Sequence, residues 1–166
     1  GVIFFGDRDL ADAEPKFRRA IELNPNYPVA HEWLGLLLSE RGRIDEALQH
    51  ADMAVSLDPF EATMYQGRGQ VLYNGRRFAA AAESFESIFA SDLEDIEAAR
   101  FAIDAWALAG DVEASRRVRA DAIRRNPARA SVVLPVRKNL EDGDPRRASE
   151  QLLPYLDSAS ADIQLL

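Results

Sequence analysis

A step of 34 residues recurs along this chain, and it leaves few folds open. Three segments close alike, on Asn24 and Pro25, on Asp58 and Pro59, and on Asn126 and Pro127. The first two prolines lie 34 residues apart and the next two 68 apart, which is two steps with Leu93 in the skipped place. Gly1, Gly35 and Gly69 keep the step, as do Ala13, Ala47 and Ala81. Ala20, Ala54, Ile88 and Ala122 form a further series, and Phe17 and Phe85 each stand four residues after their alanine. Self-similarity at a period of about 20–50 residues is the mark of a stacked-repeat architecture.

Each period holds two amphipathic stretches around a short break. Leu34, Leu37 and Leu38 recur at helical spacing within 31–41, Gly42 and Arg43 interrupt, and Ile44, Ala47, Leu48, Ala51 and Val55 line one side of 44–57. The closing Asp or Asn with its proline stops one pair and starts the next. The same grammar predicts helices over 61–74 and 77–90, then 96–109 and 112–125, with Asp111 as an N-cap. No stretch shows sustained strand alternation. Helices packed about 8–10 Å apart need small residues at the contact. Gly35 and Gly69 supply them on first helices, and Ala47, Ala54, Ala81 and Ala122 on second helices, with Phe17 and Phe85 filling space between neighbouring pairs.

The pattern resembles the tetratricopeptide-repeat family, a 34-residue helix–turn–helix marked by Leu-Gly, then Ala-x3-Phe, then Pro. Here those marks are Leu34 and Gly35, Ala13 with Phe17, Ala81 with Phe85, and the three prolines. The match is good over 1–127 and poor over 128–156. The resemblance implies an all-α, right-handed α-solenoid of antiparallel helix pairs, read as one domain over 1–166. The repeats expected are 1–25, 26–59, 60–93, 94–127 and a divergent 128–161. Projecting the step back leaves about half of a first helix missing, and both ends are expected to be cuts through a longer bacterial-type array. Three departures stand out. Leu93 replaces a proline inside an acidic run from Asp92 to Glu97. In the fourth repeat Ile103, Ser115 and Arg119 replace glycine, alanine and a bulky apolar residue, with Trp106 and Val118 as compensation. Pro135 and Pro154 make the last pair bent and loose, although Asp144 and Pro145 open a helix to about 153.

Composition narrows the function. The formal net charge is −8, against a nucleic-acid footprint. There is no cysteine, which removes disulfides, thiolate catalysis and cysteine-held zinc. Apolar runs are too short to span a membrane, and the first residues do not read as a signal peptide. The expected compartment is the cytoplasm, with the periplasm open. His31 and His50 stand apart without metal-ligand spacing. Gly67 and Gly69 lack the third glycine and preceding strand of a dinucleotide loop. The expectation is therefore a chain that is not an enzyme and holds no cofactor or metal.

By resemblance, first helices line a concave groove that holds a peptide or protein ligand. Carried over by repeat position, its residues are Glu32, Leu36, Ser39 and Glu40, then Gln66, Gln70, Tyr73 and Asn74, then Arg100, Asp104 and Ala107. Some members of the family grip a C-terminal carboxylate with Lys and Asn. The corresponding positions here are Glu32, Leu36, Gln66 and Gln70, so that basic clamp is missing. A second candidate surface is basic. Arg116, Arg117, Arg119, Arg124, Arg125, Arg129, Arg137 and Lys138 face only Glu113 and Asp121 in the same stretch. It reads either as a docking patch for an acidic partner or as solvated helix surface. Trp33 and Tyr65 read as core or rim. Phe4 and Phe5 predict self-association through the open end. The alternative function is a substrate-docking or regulatory module of a larger enzyme, such as a transferase or cyclase.

Overall fold

The computed structural model describes residues 7–92 and 95–130, with side chains from Ala13 onward. Among the described residues there are seven helices that run their full length and no strand: α1 (Asp7–Leu23), α2 (Pro28–Glu40), α3 (Ile44–Leu57), α4 (Ala62–Asn74), α5 (Phe78–Ser91), α6 (Ile96–Ala109) and α7 (Val112–Arg125), and residues 127–130 are helical as well. The helix expected after Pro145, residues 131–161 of the divergent last repeat, and Phe4 and Phe5 lie outside the described residues. α3, α6 and α7 have the limits that periodicity predicts. α2 starts three residues before His31, because Pro28 occupies its first turn, where a missing N–H costs nothing.

Successive helices pack against each other in antiparallel pairs, α2 with α3, α4 with α5, and α6 with α7. α4 also lies along both α2 and α3, whereas α6 packs chiefly on α5 and α7. The turn inside each pair repeats at the step of the sequence. Gly42, Arg76 and Gly110 all hold positive φ, at 75°, 58° and 84°. The residue after each returns its N–H to a carbonyl five residues back, Arg43 to Leu38, Arg77 to Leu72 and Asp111 to Trp106, which caps the preceding helix. Arg76 holds this left-handed geometry at a cost that glycine would not carry.

The small residues act where the register puts them. A Cβ on Gly35 would lie 3.0 Å from the Ala47 carbonyl oxygen and 3.3 Å from the Ala51 nitrogen, so α2 and α3 meet backbone to backbone. A Cβ on Gly69 would lie 2.6 Å from the Phe85 ring, so α4 makes room for an aromatic side chain of α5. Phe85 then stacks on Phe101 of α6, with centroids 5.2 Å apart. One residue thus fills its own pair and joins it to the next. These contacts belong to a continuous core running from Leu34 to Ala130. No described helix is long and apolar enough to cross a membrane.

Candidate interaction surface

The first helices of the pairs each carry one stripe that their neighbours leave uncovered. On α2 it includes the half-buried Glu32, Trp33 and Leu36 and the exposed Glu40. On α4 the exposed Gln66 and Asn74 alternate with the half-buried Gln70 and Tyr73, and on α6 Arg100 and Asp104 lead to the exposed Ala107. Tyr65 sits partly buried against the core. Ser39 is different. It is buried, donates to the Leu36 carbonyl at 2.8 Å, and accepts from Asn74 Nδ2 at 3.0 Å. Gln70 in turn donates to Asn74 Oδ1 at 2.8 Å. Ser39 therefore anchors the amides of α4 to α2 rather than facing solvent. Arg100 is tied to Glu97 at 2.8 Å and to Asp104 at 3.6 Å, and its guanidinium lies 4.2 Å from the Phe101 centroid.

The charges along the two complete neighbours, α2 and α4, are one-sided. α2 has no lysine or arginine, and the only arginine of α4, Arg68, turns away to Asp52 of α3 at 2.7 Å and Ser84 of α5 at 2.8 Å. Glu32 lies with its stem across α4, where a Cβ on Gly67 would fall 2.8 Å from Glu32 Cγ. Burial, followed by the nearby Glu61 carboxylate, pushes the Glu32 carboxyl up to about 7. Glu61 itself caps α4, accepting from the Thr63 N–H at 3.3 Å and its hydroxyl at 3.2 Å.

The arginine-rich surface of α7 is largely neutralised where it stands. Arg116 pairs with Glu113 at 2.9 Å, Arg117 with Glu86 of α5 at 2.9 Å, and Arg125 with Asp121 at 2.8 Å, while Arg124 also meets Asp121. Arg125 further lies 5.5 Å from the Phe89 centroid, and Glu86 accepts from the Trp106 indole. Glu86, Phe89, Arg117, Asp121, Arg124 and Arg125 line an open hollow of about 420 Å³ between α5 and α7. Arg129 also makes a polar contact, and its backbone N–H is capped by Asn126 at 3.2 Å. Such pairing matches the reading of a solvated helix surface better than that of a free cationic patch. Arg137 and Lys138 lie outside the described residues.

The two histidines are not isolated, contrary to the expectation from the sequence. His31 Nδ1 and His50 Nδ1 are 2.9 Å apart, and His31 Nε2 is 3.0 Å from the Pro25 carbonyl. A carbonyl only accepts, so His31 carries a hydrogen on Nε2, and one of the two facing Nδ1 atoms donates to the other. Burial, then His31 and Arg18, lower the His50 pKa. Among the described residues no third metal-ligating side chain completes a cluster. The antiparallel register held the signal. Gly35 faces Ala47 across the turn, so four residues back on α2 and three forward on α3 come His31 and His50.

Residues 1–62 match the family model described as tetratricopeptide repeat. A curated relative, small glutamine-rich tetratricopeptide repeat-containing protein 2 of Mycosarcoma maydis, is 32% identical over 79 residues, covering 48% of this chain and 22% of that protein. The solved structure of TTC0263, a thermophilic tetratricopeptide-repeat protein of Thermus thermophilus, superposes with a TM-score of 0.65 at 18% identity, over 95% of this chain and 87% of that one. Over residues 1–62 the chain carries the tetratricopeptide repeat, and its described helices have the fold of that family. The crystal structure of MamA shares the fold as well, with a TM-score of 0.63 at 16% identity over 98% of this chain and 99% of that chain. The described chain is an all-α, right-handed solenoid of antiparallel helix pairs, a fold that serves protein–protein interaction in general. The chain matches only about a fifth of the curated relative's length.

Proposed function

We propose that this tetratricopeptide-repeat chain is a non-catalytic module that holds a peptide or protein segment against the uncovered stripe of α2, α4 and α6. The observation that carries this reading is the pair of amides Gln70 and Asn74, anchored by the buried Ser39 hydroxyl, which holds hydrogen-bonding groups in place on a face that no described helix covers. Pre-placed amides suit recognition of a ligand backbone, because the ordering cost is already met before binding. Tyr73 adds apolar contact area beside them, its ring held by an edge-on contact to Phe78 with centroids 5.4 Å apart.

The test is selection of random twelve-residue peptides on the chain, followed by fluorescence anisotropy with the recovered peptides. Joint replacement of Gln70 and Tyr73 by alanine is expected to weaken binding tenfold or more while the circular dichroism spectrum stays unchanged. Equal binding by that variant would move the contact surface elsewhere.

A further inference from the structure

We infer that the α2–α4 face seats a lysine or arginine side chain of the bound segment, with Glu32 as its counter-charge. The inference deepens the proposed groove function and rests on it. Three separate features of the structure lead to it. The first is position. The Glu32 stem lies along the α4 backbone because residue 67 has no side chain, so the carboxyl is held at the junction of two helices. The second is the missing cation. Among the described residues Glu32 makes no ion pair, since α2 offers no lysine or arginine, Arg68 is engaged with Asp52 and Ser84, and Arg100 with Glu97 and Asp104. The third is the field. Glu61 and Glu40 are the other charged groups on these two helices at this face, and both are acidic.

A half-buried carboxyl without a counter-ion is costly to ionise. This is the source of its raised pKa, which burial dominates and Glu61 increases. An arriving ammonium or guanidinium removes that cost, whereas an arriving carboxylate adds to it. Several other acidic groups among the described residues do not share this condition. Glu14 and Glu46 are satisfied by Arg18 and Arg43, Glu86 by Arg117, and Asp121 by Arg125. Glu32 is the half-buried acid at the groove that the chain leaves for a ligand to neutralise.

Peptides selected from the random twelve-residue library on the intact chain provide the probe. The expected pool is enriched in lysine or arginine at one position, and changing that residue to glutamine weakens binding tenfold or more. Glu32→Gln, which keeps the length of the stem, is expected to cause a similar loss, and Glu61→Gln a loss of only about twofold to threefold. In the complex, the Glu32 carboxyl followed by ¹³C NMR should titrate well below its value in the free chain. A pool that loses affinity in the Gln70 and Tyr73 variant, but shows no basic preference and no response to Glu32→Gln, would overturn this inference and leave groove binding intact. Peptides indifferent to all of these changes would overturn both.

Discussion

In α2–α3 and α4–α5 a glycine admits the partner helix, whereas the same register position of α6 holds Ile103, buried in the core. The first two pairs still differ from each other. Opposite Gly35 stands Ala51, and the backbones touch; opposite Gly69, 34 residues on, stands Phe85, and a ring fills the gap. Opposite Ile103 the series reaches Arg119, which is only half-buried. α6–α7 is held in another way. Ser115, where its neighbours have alanine, donates across the pair to the Ile103 carbonyl at 3.1 Å, and Val118 supplies the buried apolar contact. Both helices start on aspartate caps, Asp95 accepting from the Ala98 N–H at 2.9 Å and Asp111 from the Ala114 N–H at 2.8 Å. A stacked array therefore tolerates a change from steric closeness to hydrogen bonding and capping, provided that each pair still buries an apolar face against its neighbour.

The comparison breaks most sharply at Phe85. Phe85→Ala should cost about 3–5 kcal/mol, because the ring fills α4–α5 and also stacks on α6. At the equivalent place in α7, Arg119→Ala should stay within about 0.5 kcal/mol. Urea unfolding of both variants checks this, and similar losses would mean that the pairs are built alike. Next in size, Gly35→Leu should cost about 1–3 kcal/mol by overpacking against backbone that cannot yield. Ile103→Leu, nearly volume-conserving, should cost less than about 1.5 kcal/mol.

A smaller effect of opposite sign is expected in the turns. Arg76→Gly should stabilise by about 0.5–1 kcal/mol, since Gly42 and Gly110 already hold the equivalent left-handed place. The gain is reduced by loss of the Arg76 contact with Phe78, 5.9 Å from the ring centroid. An unchanged or lower thermal midpoint would show that this contact outweighs the backbone strain.

The last effect is a pH dependence that two groups oppose. The His50 pKa is lowered on folding, so its contribution is present above the ordinary value of 6.5 and is lost as pH falls through the folded value. Glu32 rises from 4.5 to about 7, so its contribution is present below 4.5 and is lost as pH climbs through 7. Between about pH 5 and 7 the two trends partly cancel. Glu32→Gln should then expose a urea midpoint that falls on acidification, and His50→Gln one that rises. Below that window, Glu14 and Glu46 lose the contribution of their arginine pairs as they protonate, because Arg18 and Arg43 hold both carboxyls low. Parallel pH profiles for the two variants would remove the opposition.

Periodicity alone was enough to place the helices, their pairing and the small residues at the crossings. These follow from local rules, in which a 3.6-residue repeat orients a face and a glycine or proline ends it. Asp111 was legible as a cap for the same reason, and Ile103, Ser115 and Arg119 as departures from the step. The stripe residues on α2, α4 and α6 were named from the family resemblance, and all of them but Ser39 are at least partly exposed. Ser39 is buried and bonded to Asn74, 35 residues away, a contact that the sequence does not display. The His31–His50 contact went unread for want of the antiparallel register across one turn. Charge was the least legible property. Eight basic residues in one stretch read either as a docking patch or as solvated helix surface, and nothing in the sequence showed that Arg117 meets Glu86 on another helix. Glu32 looked like one acid among many, and it stands out because packing half-desolvates it where neither α2 nor α4 turns a cation toward it. Helix-forming tendency resides in neighbouring residues along the chain, whereas the energy of a charge is set by whatever folding brings within a few ångströms of it.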